Sequence, residues 1–451
     1  YIQKKLEVVN KLWCALLMGA ICFYSCNTET PPAEEEATDA MAKMELVQTD
    51  DGAYQLLLNG DPFYINGAGL EFGNVEALAK HGANSFRTWR TDNGQDTGQE
   101  VLDRAQKNGL YVTMGIEVAR ERHGFDYDDP AAVAEQFERI KEEIQMYKDH
   151  PALIIWAIGN ELNLRATNPK VWDAVNQVSE YIHEVDPNHL TTTTLAGIDE
   201  KLANDIKERA PDIDLLSIQM YGDIVNLTQR MSDAGWDGPY MVTEWGATGH
   251  WEVGKTEWDA PVENNSSQKA DFYRERYKVA IEANKKNCVG SYVFLWGQKQ
   301  ERTPTWYGMF MPDGQETEAV DAMHYIWNGS WPENRSPRLE EMLLEGKGPY
   351  DNIMLQPDAT YASTTTVTDP EGDQLTYSWE IKAESTDLGD GGDLESVPES
   401  IDGLIPAESN TAAIEFKTPA TEGAYRIFVS IADGNNHVAH ANIPFYVKAA
   451  E

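Results

Sequence analysis

Leu153-Ile-Ile-Trp-Ala-Ile-Gly159 runs directly into Asn160-Glu161. A short, almost unbroken apolar run reads as a buried strand, and this one delivers a carboxylate at its C-terminal end. The same texture repeats on both sides of it. Strand-like runs stand at 64–69, 85–90 and 111–116 before it, and at 190–195, 215–220, 240–244 and 290–296 after it. Helical patterns alternate with them, at 98–108, 130–149, 169–185, 200–209, 267–286 and 316–327. Eight strands, each followed by a helix or helix-like link over about 265 residues, have the cadence of a (β/α)8 barrel. A doubly wound sheet should carry a glycine-rich phosphate turn after its first strand. Gly67-Ala-Gly69 followed by Leu70-Glu-Phe72 is not that turn.

The barrel is flanked on both sides. Before it, Tyr54 to Leu58, then Asn59-Gly-Asp-Pro62, then Phe63 to Ile65 read as a β-hairpin around a turn-forming centre. After it, Pro332 and Pro337 mark a linker over 331–337. Alternating strands follow, such as 375–381, 425–431 and 443–447, broken by Asp/Gly/Pro turns. The expected fold class is therefore α/β: a TIM barrel with its hairpin over 46–330, then a small all-β, Ig-like sandwich over 338–451.

Lys4, Lys5 and Lys11 precede an apolar run at 12–24, too short to cross a bilayer, which takes about 20 apolar residues. The run ends at Ser25-Cys26 and gives way to polar, acidic sequence. This resembles a bacterial lipoprotein signal over 1–26, with Cys26 as the lipidated residue and 27–45 as a disordered tether. The resemblance implies an outer-membrane lipoprotein, on the cell surface or in the periplasm, held to the membrane only by its lipid. Cys288 is alone in the body of the chain, so no intramolecular disulfide framework is expected there.

Charge narrows the partners. Against 36 Lys+Arg stand 75 Asp+Glu, a net −39 at pH 7. No basic stripe exists to neutralise phosphates, which excludes nucleic acid and anionic membrane surfaces. The balance suits a neutral polymer better than a polyanionic one; solubility or salt tolerance is the alternative reading of the acidity.

The chemistry concentrates at the predicted ends of strands four and seven. The first ends in Asn160-Glu161; the second, Tyr240-Met-Val-Thr243, ends in Glu244-Trp-Gly246. Carboxylates at the C-terminal mouth of a barrel occupy the catalytic position of this fold. Glycoside hydrolysis with retention needs two carboxyls about 5–5.5 Å apart, one as acid/base and one as nucleophile.

Trp156-Ala-Ile-Gly-Asn-Glu161 together with Val242-Thr-Glu-Trp-Gly246 resembles clan A of the glycoside hydrolases. The resemblance covers the hairpin and barrel. It implies that Glu161 is the acid/base and Glu244 the nucleophile. Gly82-Ala-Asn-Ser-Phe-Arg87 matches the clan's strand-two pattern, which implies that Arg87 pairs with the nucleophile. By the same likeness Asn160 would bind the sugar 2-hydroxyl and Tyr221 would donate to Glu244. Trp296 would form the sugar platform at the cleavage subsite.

Further aromatics lie in loops: Trp251 and Trp258 after strand seven, Trp306 and Tyr307 after strand eight. Aromatic faces stack on pyranose rings, and loops carry such sites, so these four are expected to bind substrate. Loop packing is the alternative for each. His123, in Arg122-His-Gly-Phe-Asp-Tyr127 after strand three, is a candidate substrate contact or a structural histidine.

With the lipoprotein leader and trailing Ig-like domain, that loop is similar to glycoside hydrolase family 158, whose members act on β-1,3-glucan. The resemblance implies an endo-β-1,3-glucanase. The alternatives are a β-mannanase or cellulase of the same clan, a β-1,3-glucan transglycosylase, or a non-catalytic surface glycan-binding protein. No long insertion blocks one end of the barrel mouth, so an open cleft is expected. Asp369-Pro-Glu-Gly-Asp373 looks like the turn of Ig-like and PKD-like modules, with Ca²⁺ binding as the lesser reading. No His/Cys cluster for zinc and no Gly-x-Ser-x-Gly elbow occurs. No cofactor or metal is expected, and the partner is a neutral β-linked polysaccharide or oligosaccharide met by a monomer.

Overall fold

The structure, a computed structural model, describes residues 40–449. The leader with Cys26, and the tether up to residue 39, lie outside the described residues. The first element is an antiparallel sheet of β1 (Met44–Gln48), β2 (Tyr54–Leu58) and β3 (Asp61–Phe63). Met44 and Glu45, expected in the tether, thus open a strand. The β2–β3 hairpin turns through Asn59 at φ 54° and Gly60 at φ 90°. A two-residue type I′ turn needs two successive left-handed residues, and Asn-Gly supplies them at little steric cost.

The barrel strands are β4 (Ile65–Gly69), β5 (Ser85–Arg87), β6 (Tyr111–Ile116), β7 (Leu153–Asn160), β8 (Leu190–Ala196), β9 (Leu215–Gln219), β10 (Tyr240–Glu244) and β11 (Cys288–Val293). They close in the order β10-β11-β4-β5-β6-β7-β8-β9, every pair parallel. One helix follows each: α1 (Val75–Lys80), α2 (Gly98–Lys107), α3 (Pro130–Tyr147), α4 (Lys170–Val185), α5 (Glu200–Arg209), α6 (Leu227–Asp233), α7 (Ser266–Arg276) and α8 (Glu318–Asn328).

Local chemistry sets several of these boundaries. Asp129 caps the first backbone N–H groups of α3 and Pro130 opens it, while Thr97 and Glu100 form a reciprocal capping box on α2. Two links with no predicted helix contain α1 and α6, of 6 and 7 residues. Helices under two turns are too short for a 3.6-residue period to show. The single helix predicted over 267–286 is α7 followed by a π-turn, Tyr277–Ile281, and a 3₁₀ turn, Glu282–Asn284.

The hairpin plugs the bottom of the barrel. Met44 and Leu56 pack on Ile65, Leu215, Met241 and Val289, residues at or near the starts of their strands. Higher up, Thr191 to Thr194 are fully buried. Each hydroxyl finds a partner, including Thr192 on Ser217 at 2.8 Å and Thr193 on the Ile158 carbonyl at 2.8 Å. Buried hydroxyls are tolerated because they are paired.

Beyond α8, two sheets share one core that includes Leu339, Trp379, Phe416, Ile427 and Phe445. One sheet is β13 (Arg338–Leu344), β15 (Thr360–Thr368) and β17 (Ala413–Lys417). The other joins β16 (Thr376–Ala383), β18 (Gly423–Ala432), β19 (His437–Val447) and β14 (Met354–Leu355) with β12 (Glu316–Thr317), which precedes α8. The helix expected from residue 316 therefore starts at Glu318, because residues 316–317 pair with His437–Val438. The expected linker is packed rather than free: Ser336 is buried and its N–H donates to Asp321 Oδ2 at 2.7 Å. Barrel and sandwich also share buried polar contacts. Lys269 Nζ meets Glu263 Oε1 at 2.5 Å, and Asn442 of the sandwich donates to Glu263 Oε2 at 2.6 Å. In the sandwich turn, Asp369 and Asp373 lie with Asp433 so that one oxygen of each is within 4.8 Å of the others.

Candidate active site

Parallel strands of a barrel bring their C-terminal ends to one mouth. Arg87, Asn160, Gln219 and Glu244 are the last residues of β5, β7, β9 and β10. They meet around Glu244. Its Oε1 accepts from Arg87 Nη1 (3.3 Å), Trp89 Nε1 (2.9 Å) and Gln219 Nε2 (3.0 Å), and its Oε2 accepts from Tyr221 OH (2.7 Å). Among the described residues, all four of its hydrogen-bond partners are donors.

Asn160 is tied into the same network. Its Oδ1 accepts from Arg87 Nη2 (2.9 Å), Thr194 Oγ1 (2.9 Å) and Gln219 Nε2 (2.8 Å). This fixes the amide orientation and leaves Nδ2 to donate to whatever occupies the cleft. Tyr221 is buried, and burial together with the Glu244 charge pushes its hydroxyl well above its ordinary pKa. It therefore stays a donor.

Glu161 sits differently. Its backbone is left-handed, at φ 50°, an uncommon conformation for a side-chain-bearing residue and one that clusters at functional sites. Its carboxyl makes no hydrogen bond among the described residues. Although the residue keeps some exposure to the cleft, the surrounding protein and the nearby Glu244 push the carboxyl up, to about 8. Arg122, Arg120 and Arg87 pull in the opposite direction and lose. Two side chains of one type are thus placed in opposed settings, the pattern that separates an acid from a base.

A cavity of about 750 Å³ opens over both carboxylates. Phe72, Trp89, Tyr221, Trp251, Phe294 and Trp296 are the aromatic residues along its wall, Trp296 with its ring buried behind it. Trp251 is exposed at 58% and meets Tyr221 edge to face at 5.5 Å.

Several expected roles fail here. Trp296 is fully buried, donates its indole N–H to the Asn74 carbonyl and packs on Phe310 and Trp327. A ring with no exposed surface cannot stack on a sugar, so Trp296 is not the platform. Trp306 is buried with its N–H on the Thr248 carbonyl, and Tyr307 is buried with its hydroxyl accepting from the His250 N–H. Trp258 leans on Tyr446 of the sandwich. Of the four loop aromatics, only Trp251 lines the cleft. His123 lies outside the cleft lining, half-exposed, with Nε2 3.3 Å from Asp393.

A segment of the second domain also borders the cleft. Gly391 to Glu395, from the second domain, line the cavity beside the barrel loops. Trp89 and Gln219 are the two Glu244 donors that the sequence did not single out. Both sit at the ends of recognised strands on the rim of the barrel mouth, which was the available signal. The 391–395 segment carried no signal, since nothing local says where a distant loop will land.

Residues 73–326 match the family model described as Glycosyl hydrolases family 2, TIM barrel domain. A stretch of 60 residues is 37% identical to mannan endo-1,4-beta-mannosidase F of Aspergillus clavatus, covering 13% of this chain and 14% of that protein. Over 157 residues the chain is 26% identical to the probable mannan endo-1,4-beta-mannosidase C of Aspergillus terreus, covering 27% and 38%. Among solved structures, the β-glucuronidase of Bifidobacterium dentium aligns with a TM-score of 0.49 and 20% identity, covering 64% of this chain and 49% of that one. The chain thus spans about half or less of the length of these relatives.

Proposed function

The chain belongs to the family described as Glycosyl hydrolases family 2, TIM barrel domain, and on that premise we propose that it is a retaining β-glycoside hydrolase using Glu161 and Glu244. The observation that carries this reading is the asymmetry of the two carboxyls: one held by four donors, the other unbonded and pushed up. Glu161 protonates the glycosidic oxygen as Glu244 attacks the anomeric carbon, giving a covalent glycosyl-enzyme. Glu161, now ionised, takes a proton from water, whose oxygen displaces Glu244. Oε1 of Glu244 is engaged by three donors and Oε2 by one, so Oε2 has the spare lone pair for the attack. Asn160 Nδ2 is in place for the 2-hydroxyl, a contact that strengthens as the oxocarbenium ion develops.

The substrate we propose is neutral, which the acidic charge suits, and a β-glucan, with endo action on β-1,3-glucan supported by the family 158 resemblance of the 121–127 stretch. A β-mannan is the second reading, favoured by the likeness to two mannosidases. The second domain is proposed as Ig-like and Cys26 as the lipidated residue of an outer-membrane lipoprotein, both on the sequence pattern. Loss of membrane association and of lipid label in Cys26→Ser checks the anchor.

The test is reducing-sugar release from laminarin, lichenan, cellulose and mannan, beside Glu161→Ala and Glu244→Ala. Activity on laminarin, lost in both variants, is the expected result. Activity on mannan alone keeps the mechanism and moves the substrate. Activity that survives Glu244→Ala overturns the catalytic assignment.

A further inference from the structure

The connection between β16 and β17, residues 384–412, leaves the sandwich and reaches the barrel mouth. Its tip is held from two sides. After β11, Lys299 Nζ donates to the Gly392 carbonyl at 2.8 Å, and Arg302 forms a largely buried ion pair with Glu395. After β7 and β6, Arg165 Nη1 lies 2.7 Å from Asp390 Oδ2 and Arg122 Nη2 3.6 Å from Asp393 Oδ1. In the closed order of strands, three strands separate β11 from β7 in either direction. The tip therefore straddles the mouth, anchored at opposite sides of the barrel.

We propose that this tip, residues 389–395, is the wall against which the departing sugar units bind, so that the sandwich supplies the leaving-group side of the cleft. The inference rests on the two-carboxylate reading given above. The proton from Glu161 goes to the oxygen of the departing unit, so that unit lies on the Glu161 side of the broken bond. Asp390, Gly391 and Asp393 of the tip lie there too. Arg165 is four residues beyond Glu161, and a Cβ on Gly391 would fall 2.6 Å from Leu164 Cδ2 and 2.8 Å from Arg122 Nη1. Only a glycine, here at φ 55°, lets the backbone come so close.

The face offered to the cleft suits a neutral sugar. Leu394 lines the cavity with 95% of its surface exposed, an apolar face that the C–H face of a pyranose would cover. Asp393 is partly exposed and can accept from hydroxyls. A domain serving only as a spacer has no use for four basic residues fixing its loop over the catalytic mouth.

The experiment compares kcat/KM for the tetrasaccharides of β-1,3-glucan and β-1,4-mannan with that for the 4-nitrophenyl glycosides of the matching disaccharides. Those aryl glycosides fill the other side of the cleft and leave as nitrophenol. In the full-length chain, Leu394→Ala and a replacement of residues 390–394 by Gly-Ser are measured against the parent. Binding energy from remote sugars serves the reacting centre, so the tetrasaccharide-to-aryl ratio should fall about threefold in the first and about tenfold in the second. Leu394→Ala, altering an exposed side chain, should keep its melting temperature and so remain interpretable if the replacement misfolds. A ratio unchanged in Leu394→Ala and in any folded replacement overturns the proposal. A parent that cleaves none of these glycosides fails the glycosidase reading instead, which separates the two.

Discussion

Trp89 donates its indole N–H to Glu244 Oε1 across 2.9 Å, and the guanidinium of Arg87 lies 4.6 Å from the centroid of the Trp89 ring. One aromatic residue thus orients the carboxylate and backs the cation paired with it. The bond fixes the orientation of the carboxylate that the proposed mechanism uses as nucleophile.

Trp89→Phe keeps the ring and removes the donor. Loss of one preorganised donor at a reacting carboxylate should lower kcat/KM by about 10- to 100-fold. A melting curve near that of the parent, beside that loss, separates orientation from packing. A twofold change or less would mean that the bond contributes nothing to the reaction.

The pH profile should carry the Glu161 shift. In the proposed mechanism the acid form of Glu161 serves the first step, so kcat/KM should fall as pH rises past about 8. Arg122 is the foremost of the cations pulling Glu161 down. Arg122→Met should therefore move the basic limb to higher pH, and a limb that stays or moves down contradicts the assignment.

The same shift has a cost in stability. A carboxyl whose folded pKa is raised favours folding below its unfolded value, near 4.5, and this contribution is lost as pH rises toward about 8. Glu161→Gln removes the penalty. At pH 7 it should abolish turnover and raise stability by about 1–2 kcal/mol, seen as a higher Tm.

The aromatics should divide by burial. Trp296→Ala empties a fully buried site and should cost about 3–5 kcal/mol, read as a lower Tm. Trp251→Ala removes a half-exposed ring on the cleft and should raise KM about three- to tenfold with Tm unchanged. The reverse pattern would restore Trp296 as a sugar platform.

The barrel–sandwich contact should be acid-sensitive. Burial pushes the Glu263 carboxyl up, but Lys269, His440 and the bond from Thr303 hold it down, at about 2. Its contribution is present above the unfolded value near 4.5 and is lost as pH falls toward 2. Glu263→Gln should flatten the stability profile over that window. Lys269→Ala, leaving a buried charge unpaired, should cost about 3–5 kcal/mol at pH 7.

Much of this molecule was legible along the chain. The strands at 111–116 and 240–244 and the helix at 200–209 match their expected bounds, and Glu161 and Glu244 stand at the predicted strand ends. Periodicity and strand-end chemistry are local, and a sequence displays local pattern directly. The misses were of two kinds. The six residues of α1 were too few to show a period, and Trp296 was assigned by position on its strand although its ring turns into the core.

The sequence by itself determined the barrel, the two carboxylates and the order in which the strands present them, because the alternation of strand and helix admits few closed arrangements. The tertiary structure decided which aromatic faces the cleft, that Trp89 and Gln219 join the expected Arg87 and Tyr221 on Glu244, and that residues 391–395 of the second domain line the site. Those outcomes depend on contacts between segments far apart in the chain. Such contacts are set by how whole elements pack, and no local pattern encodes them.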